Sequence, residues 1–168
     1  MERIGEIVNK IATDYSGFNE LHVLVVLKGA YCVYNDLMQK MFEIETNFHV
    51  MSHYIQIKSY EGTEQTKEPD FKITNLNVEE LRNQHILVVE DIYDTGTTMQ
   101  KLLSKLQAEL KPKSLETFVC LHKRNPANLE FNWWPKYVCY WFPNKFLIGF
   151  GMDYNEVSFF HLQYFRDL

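Results

Sequence analysis

Residues 86–98 read Ile-Leu-Val-Val-Glu-Asp-Ile-Tyr-Asp-Thr-Gly-Thr-Thr, and this stretch decides the fold. Its apolar run is typical of a buried strand and ends in two adjacent acids. A third acid follows, then a turn rich in small hydroxyl residues, and then a helical pattern of apolar residues. A strand that passes through a short turn into a helix is the repeating unit of a mostly parallel sheet covered by helices.

The turn from Asp94 to Thr98 predicts an anion site. It places backbone N–H groups and threonine hydroxyls at the start of a helix, where the helix dipole also favours negative charge. The preceding acids, Glu90 and Asp91, repel phosphate, but carboxylates accept hydrogen bonds from sugar hydroxyls and can act beside a metal ion. The combination suits a ribose phosphate. A buried strand before a capped helix is the plainer interpretation, yet capping needs one acid or hydroxyl, and here there are three acids and three threonines.

Length and composition predict a single domain, residues 1–168. The apolar content of 46% allows a core, and the formal charge of −5 argues against general nucleic-acid binding. Three cysteines, Cys32, Cys120 and Cys139, lack metal-ligand spacing and are expected to be reduced thiols. The absence of a long apolar run and of a signal peptide at the start predicts a cytoplasmic protein.

Apolar patterns along the chain alternate between strand and helix types. Helices are expected over residues 2–13, near 37–41 and over about 96–110, and a polar loop over 59–70. Strands are expected over residues 21–27, 50–57, 85–90, 114–121 and 137–142. This order predicts an α/β fold with a mostly parallel sheet flanked by helices. Ligands of such sheets bind at the carboxyl ends of the strands.

Short polar motifs follow several of these strands. They are Leu-Lys-Gly at 27–29, Lys-Ser-Tyr at 58–60, Lys-Arg-Asn-Pro at 123–126, Lys-Phe-Leu-Ile-Gly at 145–149, Asp-Tyr-Asn-Glu at 153–156 and Tyr-Phe-Arg-Asp-Leu at 164–168. Each motif alone also fits a tight turn, a solvated loop or a core aromatic residue. Together with residues 86–98, and in this order, they resemble the hypoxanthine-guanine phosphoribosyltransferases of the type I phosphoribosyltransferase family. The resemblance covers nearly the whole chain.

The resemblance implies transfer of a phosphoribosyl group from phosphoribosyl pyrophosphate (PRPP) to a purine, with Asp94 as the catalytic acid/base near the purine N7. The residues implied for PRPP and nucleotide binding are Lys28, Gly29, Ser59, Tyr60, Glu90, Asp91, Asp94, Thr95, Gly96, Thr97, Thr98 and Arg166. Those implied for purine binding are Ile92, Lys123, Lys145, Phe146, Leu147 and Asp153. Asp153 is also the implied ligand of Mg²⁺, the expected cofactor.

Individual contacts follow from the same resemblance. Glu90 and Asp91 would hold the ribose hydroxyls, residues 94–98 the 5′-phosphate, and Lys123 the purine 6-oxo group. Phe146 would stack on the base with Ile92 on its other side. Ser59 and Tyr60 would belong to a closing loop, and the family often has a cis peptide at the position of Leu27–Lys28.

The chain departs from the family pattern in several places. It starts almost directly at the first helix and stops at Leu168, so the hood over the base is expected to be incomplete. Seven residues, 157–163, separate two motifs that the family normally joins, and this insertion is expected to displace Arg166. Thr97 stands where a lysine is common, and Ala30 where a second glycine is common.

Three functions remain open at this point. The first is a purine-salvage enzyme that makes IMP or GMP and pyrophosphate from hypoxanthine or guanine, as a homodimer or homotetramer and with no nucleic-acid or membrane partner. The second is a catalytically diminished paralogue or splice form that binds nucleotide or PRPP. The third is an unrelated α/β protein such as a phosphoacceptor receiver domain, which gives the Asp-Thr-Gly-Thr-Thr turn no role. A nucleotide triphosphatase is disfavoured because the chain lacks a Gly-x-x-x-x-Gly-Lys loop.

Overall fold

The computed structural model of this chain describes residues 2–60, 70–127 and 133–145, together with the backbone of four two-residue strands beyond them. The larger elements are α1 (Glu2–Tyr15), β1 (Glu20–Leu27), α2 (Ala30–Phe42), β2 (His49–Tyr60), β3 (Asp70–Thr74), α3 (Val78–Leu81), β4 (His85–Tyr93), α4 (Thr97–Leu110), β5 (Ser114–Lys123) and β6 (Tyr137–Phe142). The short strands are β7 (Leu147–Ile148), β8 (Asp153–Tyr154), β9 (Val157–Ser158) and β10 (Arg166–Asp167).

Six strands form one sheet in the order β3-β2-β1-β4-β5-β6. β1 pairs in parallel with β2 and β4, and β5 pairs in parallel with β4 and β6, while β3 runs antiparallel at the edge. The predicted mostly parallel sheet is therefore confirmed. The parallel pairing brings the carboxyl ends of β1, β4 and β5 to the same edge of the sheet.

Helices cover both faces of this sheet. α1 and α2 bury their apolar stripes on one face, against Val23, Val25 and Leu87, and α4 packs on the other face against Leu24 and Val88. A central strand buried on both faces has to be apolar throughout, which is why β1 reads as a continuous run instead of alternating. Among the described residues, no helix is long and apolar enough to cross a membrane.

The predicted loop at residues 59–70 is wrong at both of its ends. β2 extends through Tyr60, β3 begins at Asp70, and these two residues are partners in an antiparallel ladder. The polar composition of this stretch indicated a loop, but an edge strand needs only backbone hydrogen bonds and tolerates polar side chains. The sequence patterns did not predict β3 or α3, because elements of five and four residues are too short to show a hydrophobic period.

The burial of β5 in the core can be tested by replacing a buried and an exposed phenylalanine with alanine. Phe118 of β5 is 0% exposed, whereas Phe42 at the end of α2 is 81% exposed. Phe118→Ala should lower the free energy of unfolding by about 3–5 kcal/mol, because it removes a buried ring and leaves a cavity. Phe42→Ala should change it by less than about 0.5 kcal/mol. Urea denaturation followed by circular dichroism measures both, and equal effects would contradict the described core.

Candidate active site

The candidate site lies where β1, β4 and β5 end side by side. The register pairs Tyr93, the last residue of β4, with His122, the next to last of β5. Asp94 and Lys123 therefore follow as neighbours on adjacent strands. At the end of β1 the Leu27–Lys28 peptide bond is cis, as the family resemblance implied. Three of the predicted motifs thus meet at one edge of the sheet.

The side chain of Asp94 is held by two donors. The Lys123 ammonium lies 2.7 Å from Oδ2 of Asp94, and the Asn125 amide Nδ2 lies 3.1 Å from Oδ1. The Lys123 side chain is 9% exposed and that of Asp94 is 45% exposed. A nearly buried ammonium needs a partner of opposite charge, and Asp94 supplies it. The carboxylate nevertheless keeps an open side.

The turn after Asp94 has the geometry of an anion cradle. Gly96 has a φ of 85°, which an L-residue rarely adopts, and α4 begins at the next residue. Thr95 Oγ1 lies 3.2 Å from Thr97 Oγ1 and 3.4 Å from the Thr97 backbone N–H. The side chains of Thr95, Thr97 and Thr98 are exposed. A cavity of about 260 Å³ opens here, lined by Glu90, Ile92, Tyr93, Asp94, Thr95, Gly96, Thr98 and Met99.

The two adjacent acids have different surroundings. Glu90 lines the cavity, and its Oε1 accepts a hydrogen bond from the Asp91 N–H at 3.2 Å. Burial, and secondly the neighbouring Asp91 charge, raise the pKa of the Glu90 carboxyl well above its usual value. Asp91 is buried and accepts the Ile92 N–H at 2.9 Å. The pair therefore does not present two equivalent carboxylates to a ligand.

Gly29 is required by its contact with Asp91. A Cβ atom added at Gly29 would lie 2.3 Å from Asp91 Oδ2, closer than real Cβ atoms come to any neighbour. Gly29 has helical dihedral angles, φ −54° and ψ −45°, so the requirement comes from space and not from backbone conformation. The segment after β1 is thereby packed onto the end of β4. Ala30, next along the chain, is fully buried.

The residue before Lys123, His122, packs among aromatic rings that the sequence patterns did not predict. The His122 ring lies 4.2 Å from the Trp141 ring and 5.3 Å from the Trp134 ring, centroid to centroid. Its Nδ1 donates to the Lys123 carbonyl at 2.9 Å, and burial lowers the pKa of His122. Cross-strand pairing of His122 with Trp141 could be found only once the register of β5 and β6 was known.

The remaining predicted residues lie in several different elements or outside the described part. Ile92 is half-buried at the cavity, and Lys28 and Lys145 are exposed. Ser59 and Tyr60 belong to the end of β2, so their assignment to a loop is wrong for the backbone. Arg166 pairs with Ile148, and Asp167 with Leu147, in the β10–β7 ladder, and Asp153 lies in β8. Phe146 and most of the 157–163 insertion lie outside the described residues.

Comparison with known proteins agrees with this geometry. The model of the phosphoribosyl transferase domain matches residues 1–155. The chain belongs to this family. It is 32% identical over 173 residues to the hypoxanthine-guanine phosphoribosyltransferase of Homo sapiens, with 100% of this chain and 73% of the relative covered. It is 33% identical over 172 residues to phosphoribosyltransferase domain-containing protein 1 of Xenopus tropicalis, with 100% and 71% covered.

Solved structures of phosphoribosyltransferases have the same fold. The Trypanosoma cruzi hypoxanthine phosphoribosyl transferase superposes with a TM-score of 0.81 at 30% identity, covering 99% of this chain and 85% of that one. The hypoxanthine-guanine phosphoribosyl transferase of L. donovani superposes with a TM-score of 0.79 at 32% identity, covering 99% and 90%. The fold inferred from residues 86–98 is thus confirmed.

Adding a methyl group at Gly29 tests the contact with Asp91. Gly29→Ala should lower the free energy of unfolding by about 1–3 kcal/mol, because Asp91 or the segment after β1 must move. Gly17→Ala is the matched control, since a Cβ there has no neighbour within 4 Å. The control should change stability by less than about 1 kcal/mol. Equal values in guanidinium denaturation would exclude the close approach.

The raised pKa of Glu90 predicts a pH-dependent effect on stability. The folded state holds this proton more tightly than the unfolded chain, so the contribution of Glu90 to stability falls as pH rises above its ordinary pKa of 4.5. Glu90→Gln removes the disfavoured charge while Oε1 can still accept the Asp91 N–H. It should raise the melting temperature at pH 8 by a few degrees and leave it nearly unchanged at pH 4.

The control for this experiment is Glu79→Gln, which alters an exposed glutamate at the start of α3. Its melting temperature should follow that of the unmodified chain at both pH values. A lower melting temperature of Glu90→Gln at pH 8 would contradict the assignment of a disfavoured charge at Glu90.

Proposed function

We propose that this chain transfers the 5-phosphoribosyl group of PRPP to hypoxanthine or guanine, giving IMP or GMP and pyrophosphate in purine salvage. One observation carries the proposal: the Lys123–Asp94 pair lies directly beside the Asp94–Thr98 turn. A donor and acceptor for a base therefore adjoin a cradle for the 5′-phosphate of a ribose. Membership of the family and the similarity to hypoxanthine-guanine phosphoribosyltransferases support the same reaction.

The α4 N-terminus holds the 5′-phosphate in this proposal. The N–H groups of the first helical turn and the exposed hydroxyls of Thr95, Thr97 and Thr98 surround the anion. Thr97 in place of a lysine leaves the cradle with fewer fixed charges but with the same backbone donors. Lys28 lies at the cis peptide, and its exposed ammonium supports binding of the pyrophosphate.

Asp94 and Lys123 handle the base. As pyrophosphate leaves, positive charge develops on the ribose ring and a purine nitrogen attacks the anomeric carbon. Asp94 accepts the proton that the purine loses at N7. Lys123 donates to the 6-oxo group and so favours hypoxanthine and guanine. Adenine would turn an amino group toward a nearly buried ammonium, leaving two donors face to face, which is costly.

We expect a magnesium ion to be held mainly by the phosphates of bound PRPP. The described residues contain no cluster of three or more His, Cys, Asp or Glu that could hold a metal. Mg²⁺ commonly binds through one or two carboxylates and the phosphates of a substrate, so a site completed by PRPP needs no protein cage. Asp153 would supply the carboxylate, and the ion would stabilise the charge of the departing pyrophosphate.

The proposal includes an oligomeric state and a cellular location. We expect a homodimer or homotetramer, because members of the family commonly form these assemblies. A cytoplasmic location is supported by Cys32, Cys120 and Cys139, which are all free thiols.

Turnover and binding assays test the proposed function together. Incubation with PRPP, Mg²⁺ and hypoxanthine should give IMP, and guanine should give GMP, while adenine should give no product. Asp94→Asn should lower kcat by about 10²–10⁴-fold because it removes the proton acceptor. Its affinity for PRPP, measured by calorimetry, should stay close to that of the unmodified chain.

Asp36→Asn is the control for this substitution, because Asp36 is a half-buried carboxylate on α2. The Asp36→Asn variant should have the same kcat as the unmodified chain. PRPP binding without product in the unmodified chain would favour the diminished paralogue or splice form instead. Absence of both binding and product would refute the proposal, and a normal kcat of Asp94→Asn would refute the role of Asp94.

A further inference from the structure

Asn125 contacts the Asp94 carboxylate, although no motif had assigned it a function. Its Nδ2 lies 3.1 Å from Oδ1 of Asp94, the oxygen that Lys123 does not contact at 2.7 Å. The two oxygens of Asp94 thus receive donors from two different places on the chain. Lys123 ends β5, and Asn125 lies in the turn that follows.

The orientation of the Asn125 amide is fixed by a second hydrogen bond. The backbone N–H of Ala127 donates to Asn125 Oδ1 at 3.1 Å. Because an N–H can only donate, Oδ1 must face Ala127 and Nδ2 must face Asp94. A rotated amide would place donor against donor at Ala127 and acceptor against acceptor at Asp94.

The turn that carries Asn125 is itself anchored. The Arg124 N–H donates to the Phe142 carbonyl at 2.7 Å, which continues the pairing of β5 with β6 by one residue. Pro126 follows Asn125 and restricts its own φ, and residues 126–127 form a tight helical turn. The amide is therefore presented to Asp94 from a constrained segment of backbone.

We propose that Asn125 is a positioning residue for Asp94, an inference that rests on the proposed phosphoribosyl transfer. The Asp94 side chain is 45% exposed, so a single contact to a flexible lysine leaves its carboxylate plane free to rotate in water. A second donor on the other oxygen fixes that plane.

Asn125 could instead serve only to stabilise the turn through Ala127, and two substitutions separate these roles. Asn125→Asp keeps an oxygen for the Ala127 N–H but turns a carboxylate oxygen toward Asp94. Asn125→Ala removes both hydrogen bonds. A role in the turn alone predicts that only Asn125→Ala is impaired, whereas positioning of Asp94 predicts that both are impaired and Asn125→Asp more severely.

Steady-state kinetics on the full chain measure this difference. Asn125→Asp should lower kcat by about ten- to hundredfold, the range expected for loss of a hydrogen bond to a charged group, with the KM for PRPP nearly unchanged. Lys123 and Glu90, the charged groups that contact Asp94 or line the same cavity, are unchanged in both variants.

Asn77→Asp is the matched control. At the N-cap of α3, Asn77 Oδ1 accepts the Glu80 N–H at 3.3 Å and Nδ2 donates to the Glu80 carboxylate at 2.8 Å. Asn77→Asp therefore removes an amide donor to a carboxylate, as Asn125→Asp does, but at a position outside the site. Its kcat and KM for PRPP should match those of the unmodified chain.

A measurement without turnover keeps this inference separate from the proposed function. The chemical shift of the Asp94 carboxyl carbon, whose ¹³C signal is assigned by its loss in Asp94→Asn, can be compared among the proteins at one neutral pH. It should differ from that of the unmodified chain in Asn125→Asp and Asn125→Ala and stay unchanged in Asn77→Asp. An unchanged chemical shift and an unchanged kcat in Asn125→Asp would overturn the role of Asn125, whereas an inactive unmodified chain with the expected chemical-shift changes would overturn the proposed function alone.

Discussion

The parallel pairing of β4 with β5 sets the position of nearly every group in the site. The register places Tyr93 opposite His122, so the next residues, Asp94 and Lys123, meet across neighbouring strands at 2.7 Å. A slip of one residue would point Lys123 to the other face of the sheet and leave its ammonium buried without Asp94. The apolar runs of the two strands are buried on both faces and hold this register. The core thereby determines the chemistry at its edge.

Three acids beside the proposed phosphate site look electrostatically unfavourable, but their surroundings reduce the repulsion. Asp94 is paired with Lys123, so its charge is compensated locally. Asp91 is buried against Gly29 and accepts the Ile92 N–H. Burial raises the pKa of the Glu90 carboxyl well above its usual value, so its charge is disfavoured relative to that of an exposed glutamate. The net charge of −5 is therefore a poor guide to the α4 N-terminus, where the hydroxyls of Thr95, Thr97 and Thr98 are exposed.

Sequence patterns predicted the elements that are long and apolar and missed those that are short and polar. β1, β4 and β5 contain long apolar runs and α4 has a helical period, whereas β3 and α3 have five and four residues and form through backbone pairing and a cap. Asp94, Lys123 and the threonine turn could be predicted because they belong to motifs that follow one another in a fixed order. Asn125 was not, because its role depends on the orientation of an amide set by Ala127. The Gly29–Asp91 contact likewise joins residues that only the folded sheet brings together.

The near-complete burial of Lys123 links the stability of the fold to the candidate site. The Lys123 side chain is 9% exposed, and the preceding residue, His122, packs with Trp134 and Trp141. An ammonium screened from water depends on its acceptors, and Asp94 Oδ2 supplies one of them. Removing the Asp94 carboxylate would therefore leave a nearly buried charge with one acceptor fewer, which is costly. The contact that positions Asp94 in the proposed reaction thus also compensates a buried charge at the ends of β4 and β5.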